Sequence, residues 1–424
     1  MTSTTGPGLT GLDEIVGGLE TLYRDLHQHP ELSTQERRTA QLAADELRRA
    51  GFEVSTGIGG TGVVGVLANG AGPTVMARAD MDALPVREAT GLPYASTATA
   101  SDADGTEVPV MHACGHDMHV TWLAGAATLL ARSRTDWQGT LLALFQPAEE
   151  TGRGAQSMID DGLFDRFPKP EVILGQHVMP APAGQIMYRA GVTQAASDSL
   201  DVRIVGRGGH GSMPESSVDP VVIAASTVMR LQTIVSRETA PSESVVVTVG
   251  ALQAGTKSNV IPDEALLRIN VRSFDEAVRA RVVAAIERIV AAECSAASAP
   301  APPRIQYTER YQLTVNDPQE TARVAAALRN RFGVDAVTEL ASPISASEDF
   351  GTFGGEWGVP SVFWYVGGID PDTYAAAAAA GRVAQEIPTN HNPRFAPVIH
   401  PTLETGVTTM ATAALDYLSR GAPA

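Results

Sequence analysis

Cysteine is nearly absent: Cys114 and Cys294 are the only two in 424 residues. Two thiols far apart in sequence exclude a disulfide framework and fit a reducing, cytoplasmic location. No apolar run reaches the length that spans a bilayer, which excludes a transmembrane protein. The opening MTSTTGPGLTGLDE lacks the basic and apolar regions of a secretory signal, and its first ten residues read as a disordered tail. Positive charge is short as well. With a net charge of −17, nothing offsets phosphate repulsion, so neither nucleic acid nor an anionic membrane is expected as a partner. Internal repeats of solenoid length are also missing. What remains, 44% hydrophobic and 19% charged residues, is the balance of a soluble globular protein. The chain is too long for one ordinary core, so two domains are expected.

Helical and strand patterns alternate through the first part. Residues 33–50 read as a helix, with Ser33 and Glu36 as a capping box, a shared face of Ala40, Ala43, Ala44 and Leu47, and Gly51 as its stop. Strand patterns occur at 63–67, 74–79, 140–145 and 172–174, the last three each running into a polar cluster; a helix is expected over 120–132. This is an α/β sheet covered on both faces, with ligand-type residues at the carboxyl ends of strands. After residue 193 the order becomes β-α-β-β-α-β: strands at 200–205, 244–251, 265–273 and 304–307, helices at 220–236 and 275–292. That is the ferredoxin-like arrangement, inserted into the first domain. From Tyr311 the α/β character resumes, with helices at 321–332 and 402–418 and a strand at 361–366. The tract 375–380 fits a short helix or a loop equally. Cys294 falls just past the end of its helix and reads as structural.

The chemistry concentrates in Met111-His112-Ala113-Cys114-Gly115-His116-Asp117-Met118-His119. Thiolate and imidazole two residues apart can converge on one divalent transition metal, although an isolated C-x-H match describes ordinary packing just as well. Glu150, His177 and His391 follow in three further segments, each at a loop or strand end. Five ligands exceed the four of a closed structural zinc site and suit two metals sharing a bridge. Adjacent glutamates, Glu149-Glu150, suggest one ligand and one general base that serves water and then the leaving nitrogen; a solvated helix start is the bland reading of the same pair.

The segments RADMDALP (78–85), MHACGHDMH (111–119), QPAEE (146–150), GGHGSMP (208–214), NVIPDEA (259–265), SEDF (347–350) and NHNPRF (390–395) resemble the M20 metallopeptidase family. Within it they look like the amidohydrolase branch of aminoacylases, hippurate hydrolases and auxin-conjugate hydrolases. The motifs occur in family order over almost the whole chain.

The resemblance implies a metallopeptidase-like α/β catalytic domain with a mixed sheet, in residues 1–193 and 311–424, and an inserted ferredoxin-like lid and dimerisation domain in 194–310. It implies two divalent ions, zinc or manganese, with cobalt or nickel also suited. Cys114 would bridge them, His116 and Glu150 would bind one, and His177 and His391 the other. Glu149 matches the catalytic acid/base, and Asp80 and Asp82 would fix ligand geometry from behind. His210 matches the histidine that reaches the partner subunit's site and polarises the scissile carbonyl; its flanking Gly206, Gly208, Gly209 and Gly211 would let the backbone turn sharply. Asn259 and Arg272 match substrate contacts. Glu215 departs from the family's frequent histidine. The implied activity is cleavage of N-acyl-amino acids to a carboxylic acid and an amino acid by a homodimer, with a tetramer as the alternative assembly. A dipeptidase or aryl-amide hydrolase of the same family, a cysteine hydrolase using Cys114 as nucleophile, and a metal-binding module without turnover are the competing readings.

Overall fold

The computed structural model describes residues 9–419, so most of the expected N-terminal tail lies outside the described residues; Leu9 is already buried. The chain divides into two compact units. One runs to Thr193 and continues over Val315–Ser342 and from Asp349; the other comprises Gln194–Thr314 and Pro343–Glu348. The short return segment therefore sits with the inserted unit, where Ala195 donates its N–H to Ala346 O at 3.0 Å.

The outer unit contains α1 (Leu12–Gln28), α2 (Arg37–Arg49), β1 (Glu53–Ile58), β2 (Gly62–Asn69), β3 (Thr74–Asp80), α3 (His116–Arg132), β4 (Gly139–Gln146), β5 (Val172–Pro182) and β6 (Ile186–Tyr188). After the insertion come α4 (Pro318–Phe332), β7 (Val337–Glu339), β8 (Ser361–Ile369) and α5 (Ile399–Leu418). The eight strands form one mixed sheet in the order β1-β2-β4-β3-β5-β8-β6-β7. Its centre, β4-β3-β5-β8, is parallel. These strands are apolar runs buried along nearly their whole length, as expected where both faces of a parallel sheet are covered.

Small residues let the covering helices approach closely. On α3 nearly every residue is buried. A Cβ on Gly125 would lie 2.7 Å from both Leu19 and Val407, and one on Gly406 of α5 would lie 2.0 Å from the Trp122 ring. Trp122 is thereby sealed against α5, its indole N–H donating to Thr402 O at 3.0 Å.

Two sequence expectations change here. Helix α2 starts at Arg37 and has no Ser33 cap; its Arg38 and Thr39 N–H groups are accepted by the Glu31 carboxylate at 3.0 and 2.8 Å. The stripe Ala40, Ala43, Ala44 and Leu47 is buried as expected. Helix α3 starts at His116 rather than residue 120, so the ligand-type segment is partly helical. The alanine tract belongs to a helix, Pro371–Ala379, capped by Asp370, which accepts the Thr373 N–H at 2.8 Å.

The inserted unit has strands Ala196–Val205, Val245–Ala254, Glu264–Ser273 and Arg304–Tyr311 and helices Pro220–Thr233 and Glu276–Ala296, in the order β-α-β-β-α-β. Its four-stranded antiparallel sheet places Val245–Ala254 at one edge and Arg304–Tyr311 at the other. Val278, Val282, Ile286, Ile289 and Val290 line the buried face of the second helix. That helix extends to Ala296, so Cys294 lies within it, buried, and not beyond its end. Among the described residues no helix is long and apolar enough to cross a membrane.

Candidate metal centre

Strand register builds the floor of the site. Arg78 stands opposite Gly175, Asp80 opposite Gln146, and Tyr365 opposite His177. Because Asp80 and His177 each lie two residues beyond the Arg78–Gly175 pair, Asp80, Gln146, His177 and Tyr365 form one row at the carboxyl ends of the parallel strands. His177 belongs to β5 itself, which runs on to Pro182.

Cys114 and His116 enter above this row through a turn that only glycine can make. Gly115 has φ +87°, and a Cβ there would lie 2.4 Å from Val178 Cγ1. Asn390 and His391 are fastened to the same turn. The Asn390 amide donates to Cys114 O (3.1 Å) and Val178 O (3.2 Å), and the His391 N–H donates to Ala113 O at 2.8 Å.

Hydrogen-bond partners decide what each imidazole offers. The Nδ1 of His177 faces Val178 O at 2.7 Å. A carbonyl only accepts, so this nitrogen carries the proton and the Nε2 lone pair is left facing Cys114 Sγ at 3.5 Å. Burial and the neighbouring His119 and His116 hold the His177 pKa well below its usual value, keeping the ring neutral. His116 Nδ1 likewise faces Asp82 Oδ1 at 3.2 Å. Its Nε2 is buried without a hydrogen-bond partner, 3.8 Å from Glu150 Oε1. Burial lowers the basicity of His116, yet the charges of Asp80 and Cys114 outweigh it and raise its pKa well above the ordinary range. The position favours positive charge, whether a proton or a metal ion.

His119 is different. Its Nδ1 lies 2.6 Å from Asp80 Oδ1 and its Nε2 accepts the Val178 N–H at 2.9 Å, so no lone pair remains for a ligand. His112 is buried with both ring nitrogens unpartnered and lies outside every cluster described below.

Glu149 and Glu150 follow Ala148, a non-glycine residue at φ +52°, and open a single 3-10 turn, Glu149–Thr151. Glu149 is buried. Glu150 Oε1 is buried without a hydrogen bond, 3.4 Å from His391 Nε2. The neighbouring Cys114 and Glu150 outweigh burial and raise the His391 pKa to about 10. Burial pushes the Cys114 thiol up, with Glu150's charge adding to it; a metal at this point would have to displace that proton.

Donor atoms within 4.8 Å of one another fall into overlapping sets: Cys114 with His116 and His177, Cys114 with Glu150 and His391, and His116 with Glu149 and Glu150. Cys114 is common to two of them. Buried atoms that lack hydrogen bonds, gathered around one thiol, are a donor set that fits divalent cations.

A model of peptidase family M20/M25/M40 matches residues 76–415. The chain belongs to this family. The M20 relatives include the hippurate hydrolase of Campylobacter jejuni, 39% identical over 342 residues that cover 80% of this chain and 86% of that protein. IAA-amino acid hydrolase ILR1-like 2 of Arabidopsis thaliana is 36% identical, over 80% of this chain and 75% of its own. Among solved structures, the Bacillus subtilis YXEP protein, named as a dinuclear metal binding peptidase from the M20 family, superposes with a TM-score of 0.74 at 27% identity, covering 96% of this chain and 99% of that one.

In this M20 chain the inserted unit carries the other candidates. His210 and Asn259 meet in a small ladder: Gly209–His210 pairs with Val260–Ile261, and Gly211 donates its N–H to Asn259 O at 2.9 Å. His210 is exposed, and its Nδ1 accepts the Ser212 N–H at 3.1 Å, which leaves the proton of the neutral ring on Nε2. The flanking glycines do not turn the chain through left-handed conformations; none of Gly206, Gly208, Gly209 or Gly211 has positive φ. Gly206 and Gly208 are there for space, since a Cβ would lie 2.5 Å from Val218 O and 2.8 Å from Ile261 O, respectively. Arg272 donates to Ser345 O (2.6 Å) and Ser347 Oγ (3.2 Å).

The motifs RADMDALP and SEDF contain Arg78 and Asp349, whose roles are visible only in the fold. Arg78 is buried and donates to Asp80 (2.6 Å), Gln146 (2.8 Å) and Asp349 (3.2 Å). Gln146 donates to the same Asp349 at 2.6 Å. An arginine inside an otherwise apolar strand pattern was the available signal, because such a charge is buried only when paired.

Proposed function

We propose that the chain is a metal-dependent amidohydrolase cleaving N-acyl-amino acids to a carboxylic acid and a free amino acid. The observation that carries this reading is the convergence on Cys114 of His116 Nε2 and Glu150 Oε1, both buried without a hydrogen bond, with the buried carboxylate of Glu149 clustered beside those two residues. The names of the hippurate and IAA-amino acid hydrolases both describe an acyl group cut from an amino acid.

Cys114, His116, Glu150, His177 and His391 would hold two divalent ions, with Cys114 shared, His116 and Glu150 on one, and His177 and His391 on the other. Zinc and manganese suit this mixed thiolate, imidazole and carboxylate set, as do cobalt and nickel. Bound there, the ions would supply Lewis acidity to water and to the scissile carbonyl. Glu149 accepts the proton of the attacking water and returns it to the leaving nitrogen. Asp82 orients His116 through Nδ1, and Asp80 fixes His119 against the Val178 backbone, so both act from behind the ligands.

The inserted unit serves as a ferredoxin-like lid and dimerisation domain. Its edge strand exposes Val246 and Leu252, and its first helix exposes Val222 and Met229, a surface suited to a second copy. From there His210, with Nε2–H as donor, polarises the carbonyl in the partner's site. Asn259 and Arg272 hold the substrate's polar end.

The test is a hydrolysis screen of acetyl-, benzoyl-, indoleacetyl- and longer N-acyl-amino acids with metal analysis of the same sample. Turnover should vanish on chelation, return with added metal and survive thiol alkylation of the metal-loaded protein. Alkylation sensitivity with chelator resistance would instead identify Cys114 as a nucleophile.

A further inference from the structure

The turn Ser33-Thr34-Gln35-Glu36 has the sequence of a helix cap, yet α2 is capped by Glu31. The side chains of Ser33 and Glu36 point elsewhere. Glu36 is fully buried and none of its hydrogen bonds involves a cation. Its Oε1 accepts the N–H groups of Thr34 and Ala148, each at 2.8 Å, and its Oε2 accepts the Thr61 hydroxyl at 2.6 Å. One carboxylate thus ties together three chain segments. Ala148 is the residue at φ +52° immediately before Glu149. Left-handed alanine is strained and persists only where surrounding contacts enforce it. The Ala148 carbonyl is held too, accepting Thr151 Oγ1 at 2.9 Å.

Ser33 reaches the other half of the site. Its hydroxyl donates to Asp82 Oδ2 at 2.7 Å, and the same oxygen accepts the Glu150 N–H at 3.0 Å. The second Asp82 oxygen faces His116 Nδ1. Ala83, donating to Glu31 O at 2.8 Å, fastens the turn to the end of β3.

We infer that Ser33–Glu36 is the positioning element for the carboxylate pair: Glu36 holds the left-handed Ala148 that orients Glu149, and Ser33 holds the Asp82 carboxylate that anchors Glu150 and His116. The inference rests on the proposed role of Glu149 as base. A buried carboxylate without a cation is a costly way to fill space; three N–H and O–H donors from separate segments explain why one stands here. Burial and the charge of Asp82 raise the Glu36 pKa to about 7. A proton on Oε2 leaves Oε1 free to accept both N–H groups, so glutamine is a fair mimic of the neutral side chain.

The experiment compares Glu36→Ala, Glu36→Gln and Ser33→Ala. With saturating metal, Glu36→Ala should lower kcat on the order of ten- to hundredfold while KM stays within about twofold. In chelated protein, hydrogen exchange over residues 147–151 should show Ala148 losing protection. Glu36→Gln should recover most of both. Ser33→Ala should release metal at roughly tenfold lower chelator concentration. Should Glu36→Ala not fold, Glu36→Asp, too short to reach Thr61 and Ala148 together, carries the same expectation.

Unchanged kcat and protection in Glu36→Ala, or a Glu36→Gln as slow as Glu36→Ala, overturns the inference. If wild type cleaves no N-acyl-amino acid but Ala148 protection still follows Glu36, the functional reading fails and the clamp stands. An active wild type whose Ala148 protection ignores Glu36 gives the reverse.

Discussion

His27 Nδ1 lies 2.6 Å from Asp117 Oδ2 and its Nε2 lies 3.2 Å from Glu88 Oε1, two carboxylates around one fully buried ring. Burial lowers its pKa, but the hydrogen bonds and charges of Asp117 and Glu88 outweigh that and raise it to about 9. The folded pKa is above the unfolded one, so the stabilisation is complete below about pH 6.5 and is lost as pH rises through about 9. It amounts to roughly 3 kcal/mol at the low-pH end. Thermal denaturation of chelated protein should therefore show a gap between wild type and His27→Gln that narrows from pH 6 to pH 9.5. A gap that does not change with pH would mean the ring is neutral throughout. Asp117, which follows the ligand candidate His116, is thus committed to His27. The sequence shows a cluster of histidines in the 111–119 segment, but the ring partners that separate His116 from His119 come from Asp82, Asp80 and the Val178 backbone, all distant in the chain.

At the scale of elements, legibility followed local periodicity. The strands at 63–67, 74–79, 140–145 and 361–366 lie inside observed strands, and the stripe of α2 is buried as patterned, because consecutive apolar residues carry their own signal. Long-range substitution of a local partner escaped it. Ser33 and Glu36 have the spacing of a capping box, but Glu31 supplies the cap and frees them for Asp82 and Ala148. The glycines around His210 suggested tight turning, whereas close backbone and side-chain approach is what excludes a Cβ at Gly206 and Gly208. Helix α3 begins four residues early for a related reason: Gly115 permits the entry, and its polar first turn is buried against partners that no local pattern reveals.

For the whole molecule, the five ligand candidates come from four separate segments that the donor clusters bring together, and the parallel register sets Asp80, Gln146 and His177 level. The buried network of Arg78, Gln146 and Asp349 behind them was invisible because it joins residues up to 271 positions apart. The proposed dimer gives a further expectation: His210→Ala and Glu149→Gln chains, each inactive alone, should regain partial activity in hybrid dimers, since one composite site would hold both intact residues. No recovery in demonstrated hybrids would confine His210 to its own chain. The central claim, a two-metal hydrolytic site with Glu149 as its base, is tested most directly by Glu149→Gln, assayed for bound metal and turnover together. The account predicts two ions per chain and a loss of nearly all hydrolysis. Hydrolysis at the wild-type rate in metal-loaded Glu149→Gln would contradict it.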